Sequence, residues 1–233
     1  KDALDQAASA GDQTQFLGYS KFELQGSVLA LVVDGQSVQN VHAGQAVQIV
    51  LDRTPFYAEG GGQIGDRGKL TRSNVDDGDD VLLVIDAVTR NKNIFVHQGS
   101  LKKGSLSLGD SLIAKIDLTS RKRAQANHTS THLLQAALKQ VVDPSISQSG
   151  SLVNFDRLRF DFNSPTALST TQLIHIERLI NEWISQSHEL QIQSMSIQEA
   201  KDAGALAMFG EKYDDIVRVV DVPGVSMELC GGT

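Results

Sequence analysis

His128 and His132 stand four residues apart in the run NHTSTHLL, inside a stretch with helical periodicity. On a helix, positions i and i+4 share a face with Cβ atoms about 5–6 Å apart, so two imidazoles can be aimed at one point. The chain's single cysteine, Cys230, lies in the closing run ELCGGT. A thiolate with two imidazoles makes a good zinc shell, at about 2.0–2.1 Å for Zn–N and 2.3 Å for Zn–S, and a tetrahedral site needs one more ligand from protein or water. The zinc-protease pattern H-E-x-x-H is not met, because Thr129 stands where the general-base glutamate would be. The pair alone is also compatible with two surface or hydrogen-bonded histidines. A lone cysteine is also compatible with a small buried hydrophobe.

The pattern along the chain supplies the elements that would position these residues. Thr119 or Ser120 can cap a helix that runs to about Val142, where Asp143-Pro144 stops it. Its apolar stripe, Leu134, Leu138 and Val141, points away from the histidines at about 100° per residue. Before it, residues 1–26 read as a short lead helix and a linker around Leu17–Gln25. From Ser27 to about Leu118, the runs SVLALVV, QAVQIVL, VLLVIDAV, NIFVHQG and SLIAKIDL alternate or are β-branched. Turn pairs such as Asp34-Gly35, Asp77-Gly78 and Gly109-Asp110 separate them, which predicts a small barrel. After the helix, QSGSLV and LRFDF predict a hairpin, Thr171–Ser185 a second helix and ELQIQSMSI a strand. SIQEAKDAG predicts a short helix ending at Gly204, followed by strands IVRVVDV and VSMEL. The expected class is α+β: a small N-terminal β-barrel over 27–118, then an α+β core with a zinc-binding helix over 119–233.

Composition narrows the function. The 233 residues carry 21 Lys and Arg against 28 Asp and Glu, a formal charge of −7, so there is no global basic footprint for nucleic acid. Any such contact needs a local patch, and Arg121, Lys122 and Arg123 in the first turn of the long helix form one. Cations there oppose the helix macrodipole, and phosphate binding would be a reason to keep them. Their alternative is a solvated helix end. No apolar run approaches the ~18 residues of a membrane span. One cysteine excludes an intramolecular disulfide framework and fits a reducing compartment. The chain begins with Lys1, so a piece of something longer is expected.

Residues 60–65, GGGQIG, match G-x-G-x-x-G, yet the turn-like Asp66-Arg67-Gly68 follows rather than a helix, and no G-K-[ST] is present. A tight turn or bulge between barrel strands is one reading, and a close backbone approach to a ligand by Gly60, Gly61 and Gly62 is another.

Taken in order, five stretches resemble the editing domain of alanyl-tRNA synthetases: H-T-x-T-H at His128–His132, Q-x-G-S-L-V at Gln148–Val153, L-R-F-D-F at Leu158–Phe162, G-A-x-A-M-F-G-E-K-Y at Gly204–Tyr213 and E-L-C-G-G-T at Glu228–Thr233. Arg53–Gly68 resembles the glycine-rich motif of the barrel preceding that domain, and FLGYSKFELQGSV the linker of full synthetases. The resemblance implies hydrolysis of tRNA(Ala) mischarged with serine or glycine by a cytoplasmic synthetase (organellar in a eukaryote). It implies one zinc on His128, His132 and Cys230, with a fourth ligand just beyond Thr233. It implies the tRNA acceptor end and the rest of the synthetase as partners, with no membrane. Zinc would fix the ester end of the aminoacyl group or a water beside it. Thr131 and Gln148 are candidates for reading the amino-acid side chain, or else cap and turn residues. Arg159 and Asp161 would orient the pocket ends or form an ion pair. The alternative from another class is a non-catalytic, zinc-dependent tRNA-binding module.

Overall fold

The computed structural model describes residues 3–9, 11–72, 80–207 and 213–233. It divides into two compact units: residues 1–60, 64–123 and 233, and residues 61–63 and 124–232.

The first unit is a closed barrel. Its strands are β1 (Glu23–Val33), β2 (Ala46–Leu51), β3 (Gly68–Thr71), β4 (Leu82–Asn91), β5 (Ile94–Lys103) and β6 (Ser111–Ile116). They pair in the order β1–β2–β5–β4–β3–β6, and β6 returns to β1, so every barrel edge is paired. The first strand reaches back to Glu23, inside the stretch read as linker, because Lys115 pairs with Glu23 and Ile113 with Gln25. Alternation sends Val28, Leu31, Ile49, Leu51, Leu83, Ile85 and Leu112 inward, all at 3% exposure or less. The lead helix α1 (Ala3–Ser9) lays Ala3, Leu4 and Ala8 on Val32, Val50, Ile94 and Val96. Asp34 and Gly35 turn with φ of 50° and 77°, as a two-residue hairpin requires. The predicted turn Asp77-Gly78 lies outside the described residues.

His97 is fully buried in the barrel. Its Nδ1 lies 3.1 Å from the Ile49 carbonyl, which only a ring N–H can satisfy, and its Nε2 lies 2.7 Å from Thr54 Oγ1. Those contacts suit a neutral ring with a proton on Nδ1. Burial, partly offset by the backbone carbonyls of Ile49 and Phe95, brings its pKa down to about 4.

Helix α2 spans Leu118–Val141. Its first turn is capped by Asp117, one carboxylate oxygen accepting from the Ser120 amide at 3.1 Å and the other from the Ser120 hydroxyl at 2.9 Å. The cap therefore falls two residues before Thr119. The carboxylate also suits the positive helix end, which the expected Thr or Ser cap would not do.

In the second unit, β7 (Gln148–Val153) and β8 (Leu158–Phe162) form the expected hairpin. Helix α3 (Thr170–Ser185) is started by a capping box between Ser169 and Gln172. Ala137, Leu138, Ile146 and Ile176 form the buried centre of its core, flanked by Leu134, Val141, Phe160 and Trp183. Full burial of such side chains is worth about 1.5–3 kcal/mol each. Strands β9 (Gln191–Ser196), β10 (Ile216–Val222) and β11 (Ser226–Leu229) make an antiparallel sheet in that order. Helix α4 (Ile197–Asp202) has a second capping box, Ser196 with Glu199, and stops at Gly204, whose φ is +85°. Met208–Lys212 of the G-A-x-A-M-F-G-E-K-Y stretch lie outside the described residues.

Candidate metal centre

Two periodicities meet at the centre. His128 and His132 project from one face of α2, with rings 5.0 Å apart and 18° from parallel. Glu228 and Cys230, two residues apart at the end of β11, fall on one side of the extended chain, while Leu229 between them enters the core with Val217, Val219 and Ala200. The chain after β11 is held by Arg218 through two hydrogen bonds. The Cys230 amide donates to the Arg218 carbonyl at 3.0 Å, and Arg218 Nη1 donates to the Cys230 carbonyl at 2.8 Å.

The ligating atoms of His128, His132 and Cys230 lie within 4.8 Å of one another, and Cys230 Sγ is 3.2 Å from His128 Nε2. Tetrahedral bonds of about 2.0–2.3 Å place donor atoms roughly 3–4 Å apart, so these three fit a zinc ion with a small contraction. Both histidines are 9% exposed. The apolar stripe does point elsewhere, as expected, but the histidine face is also covered, so α2 is buried on two sides.

The remaining ring nitrogens are also committed. His128 Nδ1 lies 2.7 Å from Gln63 Oε1, and His132 Nδ1 lies 2.8 Å from Glu228 Oε2. An amide oxygen can only accept, so it fixes the proton of His128 on Nδ1 and leaves Nε2 free to ligate. Burial disfavours the charged forms of both Cys230 and His132, but their mutual contacts win. The two imidazoles bring the Cys230 thiol down to about 5, and Cys230 with Glu228 raise His132 to about 10.

Sequence reasoning missed Gln63 and Glu228. Gln63 sits in the glycine run and is held by the hairpin: the Val153 amide donates to the Gly62 carbonyl at 2.7 Å, and Gln63 bridges to Val153. Gly61 and Gly62 have φ of 56° and 82°, and a Cβ on Gly62 would stand 2.4 Å from Ser151 Oγ. The run is thus a tight turn seated on the hairpin, with neither the preceding strand nor the following helix of a dinucleotide site. Gly232 has a different reason: a Cβ there would lie 2.1 Å from His128 Cε1 and 2.9 Å from Gln63 Oε1. The spacing of ELC and the glycine two residues after it were the available signals.

The other expected site residues divide. Thr131 lies on α2 between the histidines, and its hydroxyl donates to the Asn127 carbonyl at 2.9 Å, a local bond within the helix. Gln148 Nε2 donates to Ser151 Oγ at 2.9 Å on β7. Arg159 Nε donates to Asp161 at 3.0 Å, an ion pair with 64% and 42% side-chain exposure. Lys122 and Arg123 are exposed. Arg121 corrects the expected basic patch. It is at 0% exposure, its guanidinium pairs with Asp66, and it donates to the carbonyls of Gly18 at 2.6 Å and Pro55 at 3.1 Å. A side chain so enclosed cannot reach a phosphate. With Asp66 paired to it, the unfavourable charge at the helix start is met inside the barrel unit.

A closed barrel joined to an α+β unit with a His, His, Cys centre is the frame. Residues 1–120 match the family of class II (A) tRNA synthetases, and the chain belongs to it. It is 58% identical over all 233 residues to the alanine–tRNA ligases of Synechococcus sp. (strain WH7803) and Parasynechococcus marenigrum (strain WH8102). It is 58% identical over 231 residues to that of Prochlorococcus marinus (strain MIT 9313). The chain spans 26% of the length of these relatives, consistent with a segment of an alanyl-tRNA synthetase. Among the described residues, no helix is long and apolar enough to cross a membrane.

Proposed function

We propose that this chain is the editing segment of an alanyl-tRNA synthetase, acting in the cytoplasm to hydrolyse serine or glycine from mischarged tRNA(Ala). The observation that carries the reading is the convergence of His128, His132 and Cys230, within 4.8 Å, on one point. The barrel over 27–118 and the editing core over 119–233 are proposed as its functional domains.

The need for such a site is physical. Serine differs from alanine by one hydroxyl, which a hydrophobic pocket rejects by only about 10²-fold, and a missing methyl is worth about 1–3 kcal/mol. A hydrolytic site built around the hydroxyl would leave its own polar groups unpaired when alanine enters. His128, His132 and Cys230 would hold the zinc, which would supply a Lewis acid for the ester end of the substrate. Gln63 and Glu228 hold the ring orientations. Thr131 and Gln148 are proposed to face the amino-acid side chain, with Arg159 and Asp161 bounding the pocket. Lys122 and Arg123, and the backbone of Gly60–Gly62, are proposed to meet the acceptor end.

The test is deacylation by the full-length protein of seryl-, glycyl- and alanyl-tRNA(Ala). Rapid loss of serine or glycine, slow loss of alanine, and abolition by His132→Ala or a chelator are expected. Selective tRNA binding that a chelator weakens, without ester hydrolysis, would replace an enzyme with a binding module.

A further inference from the structure

Glu228 is unusual among the groups around the centre. Its side chain is 8% exposed, one oxygen accepts from His132 Nδ1 at 2.8 Å, and the other, Oε1, has no hydrogen-bond partner among the described residues. A buried carboxylate with an unsatisfied oxygen is costly. Its direction is not accidental. Glu228 pairs with Val220 on one side of β11 and bridges to Leu206 on the other, so its backbone is fixed from both flanks. The two-residue spacing to Cys230 then aims carboxylate and thiol at the same helix face.

We propose that Glu228 is a positioning residue and the counter-charge of the metal centre. It holds His132 by Nδ1, so that Nε2 turns toward the metal, and it carries the second negative charge that a dication needs. This rests on the metal-centre reading above.

The charge arithmetic supports it. The described donors are two neutral imidazoles and one thiolate, so a divalent ion on them, completed by a neutral fourth ligand or a water, leaves one uncompensated positive charge. The Glu228 carboxylate, touching His132 but not counted among the ligands, brings the sum to zero. Gln63 plays the neutral counterpart on His128, fixing its tautomer without adding charge. The two second partners are therefore not equivalent: one orients, and the other orients and balances.

The experiment compares the full-length protein with Glu228→Gln, which keeps an acceptor for Nδ1 and removes the charge, and Glu228→Ala, which removes both. Zinc affinity is read by competition with a chelating dye. Cobalt loading is read from the thiolate-to-metal absorption that Cys230→Ser abolishes. The His132 tautomer is read by two-bond proton–nitrogen NMR. Glu228→Gln is expected to lower zinc affinity by about 10–100-fold, the usual effect of losing such an outer partner, while its cobalt spectrum and Nδ1–H are kept. Glu228→Ala is expected to lose both the affinity and the fixed tautomer. Unchanged zinc affinity in Glu228→Gln, with cobalt binding normal in the parent, overturns the counter-charge while leaving the metal centre intact. A full-length parent that binds neither metal overturns both. Should the Gln and Ala variants not fold, Glu228→Asp, which keeps the charge and withdraws it from Nδ1, decides the matter: parental affinity and tautomer there overturn the positioning role.

Discussion

Replacing Arg121 by methionine tests whether the basic run at the start of α2 is one patch or two different things. Arg121 has no exposed surface, and Asp66, its partner, is 3% exposed at the side chain. The substitution leaves that carboxylate buried with the Tyr57 amide, at 2.8 Å, as its remaining described donor, and it takes donors from the carbonyls of Gly18 and Pro55. Breaking a buried pair by removing one partner is worth about 3–5 kcal/mol, and at about 2–4 °C per kcal/mol for a chain this size the barrel transition should fall by about 6–20 °C. Adding Asp66→Asn removes the stranded charge and should recover part of the loss. Lys122→Ala and Arg123→Ala, on exposed side chains, should change stability by no more than about 0.5 kcal/mol while weakening tRNA binding and reducing its salt dependence. Scanning calorimetry and circular dichroism of the single and double variants supply the measurement. An Arg121→Met melt matching the parent, or a double variant worse than the single, would refute the reasoning.

The barrel also carries a pH signature. His97 is neutral when folded, with a pKa of about 4 against 6.5 unfolded, so the unfolded chain takes up a proton that the folded chain refuses. Its contribution is complete above pH 6.5 and drains as pH falls toward 4, by about 3 kcal/mol for that span. Urea unfolding at pH 7 and 4.5 should show the loss, and His97→Gln should flatten it; a parent profile that is flat over this window contradicts the assignment. At the centre, Gly232→Ala should displace the His128 ring and lower zinc affinity, whereas Gly231→Ala, with nothing within 4 Å of its added Cβ, should not. Equal affinities in a chelator competition would count against the close approach.

What lay open in the sequence was local. The i, i+4 histidines, the hairpin of QSGSLV and LRFDF, and the alternating barrel runs each record how a side chain points from its own element. That direction is set by backbone period alone, over a few residues. The choice of partner across the chain is not recorded there. Cys230 meets His128 over 102 positions, Gln63 meets it over 65, and Asp66 meets Arg121 over 55. Arg121, Lys122 and Arg123 look alike as letters, and only the packing of the helix start decides that one is interior and two are surface. Gln63 was likewise silent, since it sits in a turn and its residue type announces no metal, and Glu228 was marked only by its two-residue spacing to Cys230. Tertiary structure decided them because a buried imidazole needs an acceptor for its second nitrogen, and that acceptor comes from whichever distant backbone the fold delivers beside it.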